Sequence, residues 1–186
     1  MKQIQLYLFA LCISGSVLIS ACTRNDGNGS GESNNKSNEH TYQIEITGGK
    51  TYQGSVPKMA PGVADVYNPI SFAEYSEEIQ SKILTGLLMD TGKFQFGVGV
   101  ALDDNNNPSI QGSGPGLTFG EWGVEDKYRP VGNVGMTLKN YEEHTISLYG
   151  EEATVASYTL TFNGTFKLGT DGEEVSVTGE LVVAAP

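Results

Sequence analysis

The sequence is poor in the residues that most often carry covalent and metal chemistry. Only two cysteines occur, Cys12 and Cys22, so residues 41–186 contain no thiol. Disulfides, thiolate nucleophiles and cysteine–zinc sites are therefore excluded from that region. The only histidines are His40 and His144, which are too few for a three-histidine zinc site. Because His40 lies in a segment that we predict below to be a flexible tether, a serine–histidine–aspartate triad would have to use His144.

Positive charge is also scarce. The chain has 11 Lys and Arg residues against 22 Asp and Glu residues, a formal net charge of −11 at pH 7. No Lys/Arg cluster interrupts this excess, and nucleic acid would be repelled by such a surface. We therefore expect no nucleic-acid partner, and no motif in the chain predicts a cofactor.

The first residues have the pattern of an export signal. Lys2 precedes residues 4–19, which are almost wholly apolar but too short to span a membrane comfortably. Ile19-Ser20-Ala21-Cys22 follows and resembles the lipobox of bacterial lipoproteins. The resemblance implies cleavage after residue 21 and a diacylglyceryl thioether on Cys22. Ordinary signal cleavage is the alternative, but it requires a small residue where bulky Ile19 stands.

The same resemblance implies a location. Bacterial lipoproteins that have Asp directly after the lipidated cysteine stay in the inner membrane, and Thr23 occupies that place here. We therefore expect an exported protein that is anchored by its lipid in the outer membrane. Cleavage would remove one lysine and no acidic residue, so the mature net charge would be −12.

Residues 22–40 are predicted to be the lipidated cysteine and a flexible tether. Residues 23–40 include no apolar residue, so they cannot bury enough surface to offset the entropy lost on ordering. A flexible coil of this length spans roughly 23 Å.

Residues 41–186 are predicted to form a single β-rich domain, because apolar residues alternate with polar or small ones. Tyr42, Ile44 and Ile46 share one face before a Gly48-Gly49 turn, which predicts a hairpin. Alternating runs at residues 94–102 and 158–183 predict further strands. We expect an antiparallel β-sandwich of about seven or eight strands, with a closed up-and-down barrel as the alternative.

One segment has a different period. Between Ser71 and Leu88 the apolar residues recur at helical spacing, and Ser71 and Glu74 match a capping box. This pattern predicts one amphipathic helix that covers an end or a face of the sheet.

Three short motifs could carry chemistry. Asp90-Thr91-Gly92 matches half of an aspartic protease site, but no second copy exists, which favours a turn. Asp103, Asp104 and Asn105 resemble the opening of a calcium loop, although the later EF-hand ligands are missing, which favours a solvated loop. Glu142-Glu143-His144 places two carboxylates beside a histidine, and we interpret it as a solvated turn.

The stretch from residue 112 to 129 combines aromatic and charged residues around the only tryptophan. Such a set could form a sugar-binding surface, or Trp122 could instead plug the core, which is the interpretation we favour. The candidate ligand-binding residues are Glu121, Trp122, Asp126, Tyr128 and Arg129.

Three functions fit these patterns. The first, which we prefer, is a lipid-anchored envelope protein with a non-catalytic binding or scaffolding domain, whose partner is a glycan or an envelope protein. The second is a glycan hydrolase that uses two of the carboxylates of Glu121, Asp126 and Glu142. The third is a small-ligand carrier with a barrel cavity, which the bulky Phe, Leu and Val faces disfavour. We therefore expect a protein that is not an enzyme.

Overall fold

A computed structural model describes residues 38–60, 62, 66–110, 116–148 and 150–186. The predicted signal peptide, Cys22 and most of the predicted tether lie outside the described residues. Within the described part, no helix is long and apolar enough to cross a membrane.

The described residues form an antiparallel, mainly β structure without a helix. There are eleven strands: β1 (Glu39–Ile46), β2 (Thr51–Pro57), β3 (Ser71–Ser76), β4 (Ser81–Asp90), β5 (Phe94–Leu102), β6 (Pro108–Ser109), β7 (Gly116–Glu121), β8 (Tyr128–Pro130), β9 (Gly135–Leu148), β10 (Glu151–Leu168) and β11 (Glu174–Val183). The predicted β class is confirmed, as are the first and last hairpins, β1–β2 and β10–β11.

The predicted helix at residues 71–88 is wrong, because this segment forms the β3–β4 hairpin. Leu84 and Leu88 point into the core with period two, whereas Leu87 and Met89 lie on the exposed face of the same strand. Apolar residues on both faces of a strand reproduce helical spacing by coincidence. Ser71 is not a helix cap, since its buried hydroxyl contacts the backbone oxygen of residue 85 and the Tyr158 hydroxyl.

The strands follow the hydrogen-bonded order β2-β1-β11-β10-β3-β4-β5-β7-β8. Strand β8 also pairs with β10, so six of the strands form a closed path. Strand β9 pairs with β10 as well. Strand β10 therefore has four different partners along its 18 residues.

The core is formed by the inward faces of β1, β4, β5, β7, β10 and β11. The alternation predicted for β5 is confirmed, since Phe94, Phe96 and Val98 are each at most 5% exposed. Aromatic rings connect the strands: the ring centroids of Tyr42 and Phe94 are 4.4 Å apart, and those of Phe96 and Phe162 are 5.6 Å apart. Bulky aromatic and aliphatic side chains fill the core of the described residues.

The sequence predicts that His40 belongs to the flexible tether, but the structure places it in β1, where it is fully buried. The Ala184 N–H donates to Nδ1 at 3.1 Å, so the ring proton is on Nε2, which donates to the Asn68 carbonyl oxygen at 3.1 Å. The ring of Tyr67 packs edge-on against the imidazole. Strand β1 begins two residues before the predicted domain because these partners satisfy the polar ring.

We expect His40 to make the domain acid-sensitive. Burial lowers the pKa of His40 below 6.5, with a smaller lowering from the Lys58 charge and an opposing effect of the Asn68 carbonyl. As the pH falls below 6.5, the unfolded imidazole binds a proton that the buried ring does not, so the folded state loses stability. The loss approaches about 1.4 kcal/mol per pH unit until the folded pKa is reached.

Urea unfolding at several pH values between about 7.5 and 5, for the wild type and His40→Gln, measures this effect. The variant side chain can donate and accept at both positions but does not titrate, so its unfolding free energy should lack that part of the slope. The same pH dependence in both proteins would contradict the assignment.

Candidate functional site

Four turns meet at one end of the domain, and we call them together the turn cluster: residues 47–50, 90–93, 121–127 and 169–173. The Lys50 Nζ lies 2.5 Å from the Glu121 Oε1, which joins the first turn to the third. The Trp122 N–H donates to the carbonyl oxygen of residue 93 at 3.2 Å, which joins the second turn to the third. The Gly169 N–H donates to the Lys127 carbonyl oxygen at 3.1 Å, which joins the fourth turn to the third, so the four turns form one continuous surface.

The turn cluster lies far from the point where the chain enters the domain. Strand β1 starts at Glu39 and ends at Ile46, directly before the first turn. Eight residues of strand separate the two ends by roughly 25 Å. Residue 38, the first of the described residues, is therefore at the opposite end of the domain from this surface.

The third turn is held in place by a buried lysine that the sequence analysis missed. Lys127 is 8% exposed, and its Nζ donates to the carbonyl oxygens of Glu121, at 2.7 Å, and Val124. Its stem lies over Gly120, where an added Cβ would be 2.9 Å from the lysine Cδ. Only the adjacent glycine hinted at this close approach, and a charged residue in a turn is ordinarily exposed.

Trp122 is on the surface, so the interpretation as a core plug is wrong. Trp122 is 37% exposed, and it follows the last residue of β7. Phe119, which is fully buried, fills the core from this strand instead. The indole therefore stands at the end of the domain on a turn that is fixed by Lys127 and by the bond to residue 93.

The other predicted ligand residues are distributed unevenly. Glu121 and Asp126 are exposed on the third turn, whereas Tyr128 and Arg129 belong to β8. Tyr128 is half-buried because its ring stacks on Phe119, with 5.0 Å between centroids. Arg129 is exposed and pairs in register with residue 167. The structure therefore brings Glu121, Trp122 and Asp126 into one turn, while Tyr128 mainly supports it from the core side.

A cleft of about 360 Å³ opens beside the turn cluster, lined by residues that include Tyr42, Lys50, Tyr52, Gln53, Lys93 and Glu121. The Lys50 Nζ lies 4.8 Å from the centroid of the Tyr52 ring. Its bond to Glu121 holds the pKa of that carboxyl below the ordinary value.

The floor beneath the cleft is a buried hydrogen bond. The Tyr42 hydroxyl donates to the Asp90 Oδ2 at 2.8 Å, and Asp90 is only 9% exposed. Burial, and secondarily the Asp90 carboxylate, raise the pKa of Tyr42. The predicted turn at Asp90-Thr91-Gly92 is confirmed, since Gly92 has a φ of 79° and the Lys93 N–H donates to the backbone carbonyl oxygen of Asp90.

The candidate calcium residues form a turn. The Asp103 Oδ1 accepts the backbone N–H groups of Asn105 and Asn107 at 2.9 and 2.8 Å, and its Oδ2 accepts the Asn107 amide at 2.9 Å. The amide of Asn107 and these backbone groups lower the pKa of Asp103. Asp104 is exposed. Among the described residues, no group of three or more acidic, histidine or cysteine side chains could hold a metal.

Glu142-Glu143-His144 lies within strand β9, so its interpretation as a turn is wrong. The Ser157 hydroxyl lies 2.8 Å from the His144 Nε2, across the β9–β10 pair. Glu143 pairs with Lys82, whereas Glu142 is exposed. The structure does not place these residues in the turn cluster.

Lys127→Met tests how the third turn is held. The variant keeps the apolar stem over Gly120 but removes the donors to two carbonyl oxygens. The unfolding free energy should fall by about 1–3 kcal/mol, and acrylamide should quench Trp122 more readily as the turn loosens. The exposed Lys139 offers a matched control, since Lys139→Met should change neither quantity. An unchanged stability in Lys127→Met would refute this role.

No protein-family model, curated protein or solved structure matches the chain. The geometry of the described residues is therefore the basis for assigning a ligand. It points to the exposed indole, the adjacent cleft and the four turns that hold them.

Proposed function

We propose that the protein is a non-catalytic binding protein of the cell envelope, anchored by a lipid on Cys22, with the turn cluster as its ligand surface. The observation that carries this proposal is the exposed Trp122 indole, held on a braced turn at the end of the domain farthest from residue 38. Tryptophan is enriched at binding surfaces, because its large flat ring and its N–H group can both make contacts there.

The proposed anchor and the position of the surface support each other. A lipid on Cys22 and a flexible tether would attach the membrane at the residue 38 end of β1. The turn cluster would then lie at the end of the domain away from the attachment point. A surface in that position suits a protein that contacts other components of the envelope.

The chemistry of the surface favours a glycan as its ligand. The flat face of Trp122 can stack on the apolar C–H face of a sugar ring. The adjacent cleft offers the hydrogen-bonding groups of Tyr52, Gln53 and the Lys50–Glu121 pair. An envelope protein is the second candidate partner, since aromatic side chains are also enriched in protein interfaces.

The state of the carboxylates favours binding over hydrolysis. A glycosidase general acid has a raised pKa, so that it carries a proton at neutral pH. The Lys50 ammonium lowers the pKa of Glu121, which is the opposite direction. Glu142 lies on β9, away from the third turn. The filled core likewise favours a surface ligand over an internally carried one.

We also infer a sandwich arrangement for the domain. The rings of Tyr42 and Phe162, from β1 and β10, contact those of Phe94, Phe96 and Phe119, from β5 and β7. Such contacts between rings of different strand pairs support an arrangement of two packed sheet faces.

Fluorescence of Trp122 tests the ligand surface, with the mature chain carrying Cys22→Ser as the soluble protein. A panel of envelope glycan fragments should shift the emission to shorter wavelength and reduce acrylamide quenching. Trp122→Ala should weaken binding about tenfold or more, measured calorimetrically, because the stacked face is lost. Tyr75 is 59% exposed in β3, so Tyr75→Ala is the matched control and should bind normally. Equal affinity of Trp122→Ala and the wild type would overturn the assignment of this surface.

Membrane fractionation tests the anchor separately. The full-length protein should remain with membranes at high salt and be released by detergent, because several acyl chains give lasting attachment. Cys22→Ser should lose this attachment. Release of the wild type by salt alone would contradict the lipid anchor.

A further inference from the structure

A second concave surface lies on the outer face of β1, β11, β10 and β9. Inward-facing neighbours such as Ile44, Leu160 and Leu181 are fully or almost fully buried, so the alternate residues of these strands face outward. Six of those outward residues line a cavity of about 500 Å³: Gln43, Glu45, Thr161, Asn163, Thr178 and Glu180. We call this cavity the polar groove.

The strand register arranges these six side chains in two rows across three strands. Gln43 lies opposite Glu180, which lies opposite Thr161. In the next row, Glu45 lies opposite Thr178, which lies opposite Asn163. Neighbouring strands are about 4.8 Å apart, and same-face residues follow each other every 7 Å or so along a strand. The rows therefore form a regular grid of hydrogen-bonding groups.

Strand β9 forms the far side of the groove. Gly135 lies so close to Asn163 that an added Cβ would be 3.0 Å from the amide oxygen. Thr137, also on β9, lines the same cavity. The small residue lets the two strands approach, and a hydroxyl joins the grid from this side.

The composition of the groove selects the ligand. Threonine is favoured in strands, so the threonines by themselves are no evidence for a ligand. Asn and, more weakly, Glu are disfavoured in strands, so their presence in this grid is the informative part of its composition. The grid is mostly hydroxyl and amide, in a chain with twice as many acidic as basic residues. The two carboxylates would repel an anionic ligand, and the one aromatic residue of the lining, Phe162, is only 3% exposed. Groups that both donate and accept, with two carboxylates as acceptors, match the hydroxyls of an uncharged sugar chain.

We propose that the polar groove is a second ligand site, which binds a neutral polysaccharide across strands β1, β11 and β10. Glu45 and Glu180 accept hydrogen bonds from sugar hydroxyls, and the Gln43 amide, which donates to the Glu45 Oε1 at 3.0 Å, fixes one of these acceptors. The site shares no residue with the turn cluster.

Affinity electrophoresis of the mature chain carrying Cys22→Ser tests the site. Native gels contain dextran, soluble starch or a mixed-linkage β-glucan, with alginate as the anionic comparison. At least one neutral polysaccharide should retard the protein, and alginate should not. Thr161→Val with Thr178→Val should weaken that retardation about tenfold, because two hydrogen-bonding groups are lost.

The matched control changes two threonines outside the groove. Thr145 and Thr154 face each other in the β9–β10 pair, so Thr145→Val with Thr154→Val has the same chemistry and should be retarded like the wild type. Valine is favoured in strands, and thermal unfolding of each variant checks that it folds.

Three results would overturn the proposal. The first is no retardation by any neutral polysaccharide, and the second is retardation that is equal in the wild type and the groove variant. The third is retardation that is lost in Trp122→Ala but kept in the groove variant, which would assign the sugar to the turn cluster and leave the proposed function intact.

Discussion

The described domain depends on the ability of β10 to pair with four strands at once. Its residues 158–167 pair with β11, residues 166–168 with β8, residues 151–157 with β9, and Val155 with β3. Without β10, the strands β1, β2 and β11 would have no hydrogen-bonded link to β3. Strand β1 in turn pairs residue 41 with residue 182, so this sheet is complete only when residues 41–182 have all been incorporated. Such distant pairing is characteristic of slowly folding β proteins.

The parts of the fold that could be predicted from the sequence are those where alternation coincides with a recognisable turn. The hairpin at Gly48-Gly49 and the β5 strand follow this rule. The β3–β4 hairpin does not follow it, because β4 has apolar residues on both faces. Its turn also has Gln80 at a φ of 52°, where a glycine would have indicated a turn in the sequence. The sequence predicts a solvated turn at Glu142-Glu143-His144 because these residues are polar, whereas they lie within the single strand β9, in which Asn140 has a φ of 53°.

The candidate site was predicted in part for a similar reason. Aromatic and charged residues around Trp122 indicate the turn that carries the indole, but the exposure of the indole depends on where β7 ends. That end is set by the Glu121 and Lys127 contacts, which join residues that period-two patterns do not connect. The predicted tether ends two residues too late, because polarity alone predicts that His40 is solvated. In the structure His40 is buried, and its ring nitrogens are hydrogen-bonded to backbone groups of Asn68 and Ala184, which are distant in sequence.

The position of the turn cluster at the far end of β1 has a mechanical consequence. Under the proposed function, a ligand that pulled on the turns against the lipid anchor would stretch the domain along the strand direction. The hydrogen bonds between β1 and its two neighbours lie perpendicular to that direction, so they are sheared together rather than opened one by one. Shared loading of this kind makes a sheet resistant to force, as a link between a membrane and a large envelope polymer would need to be.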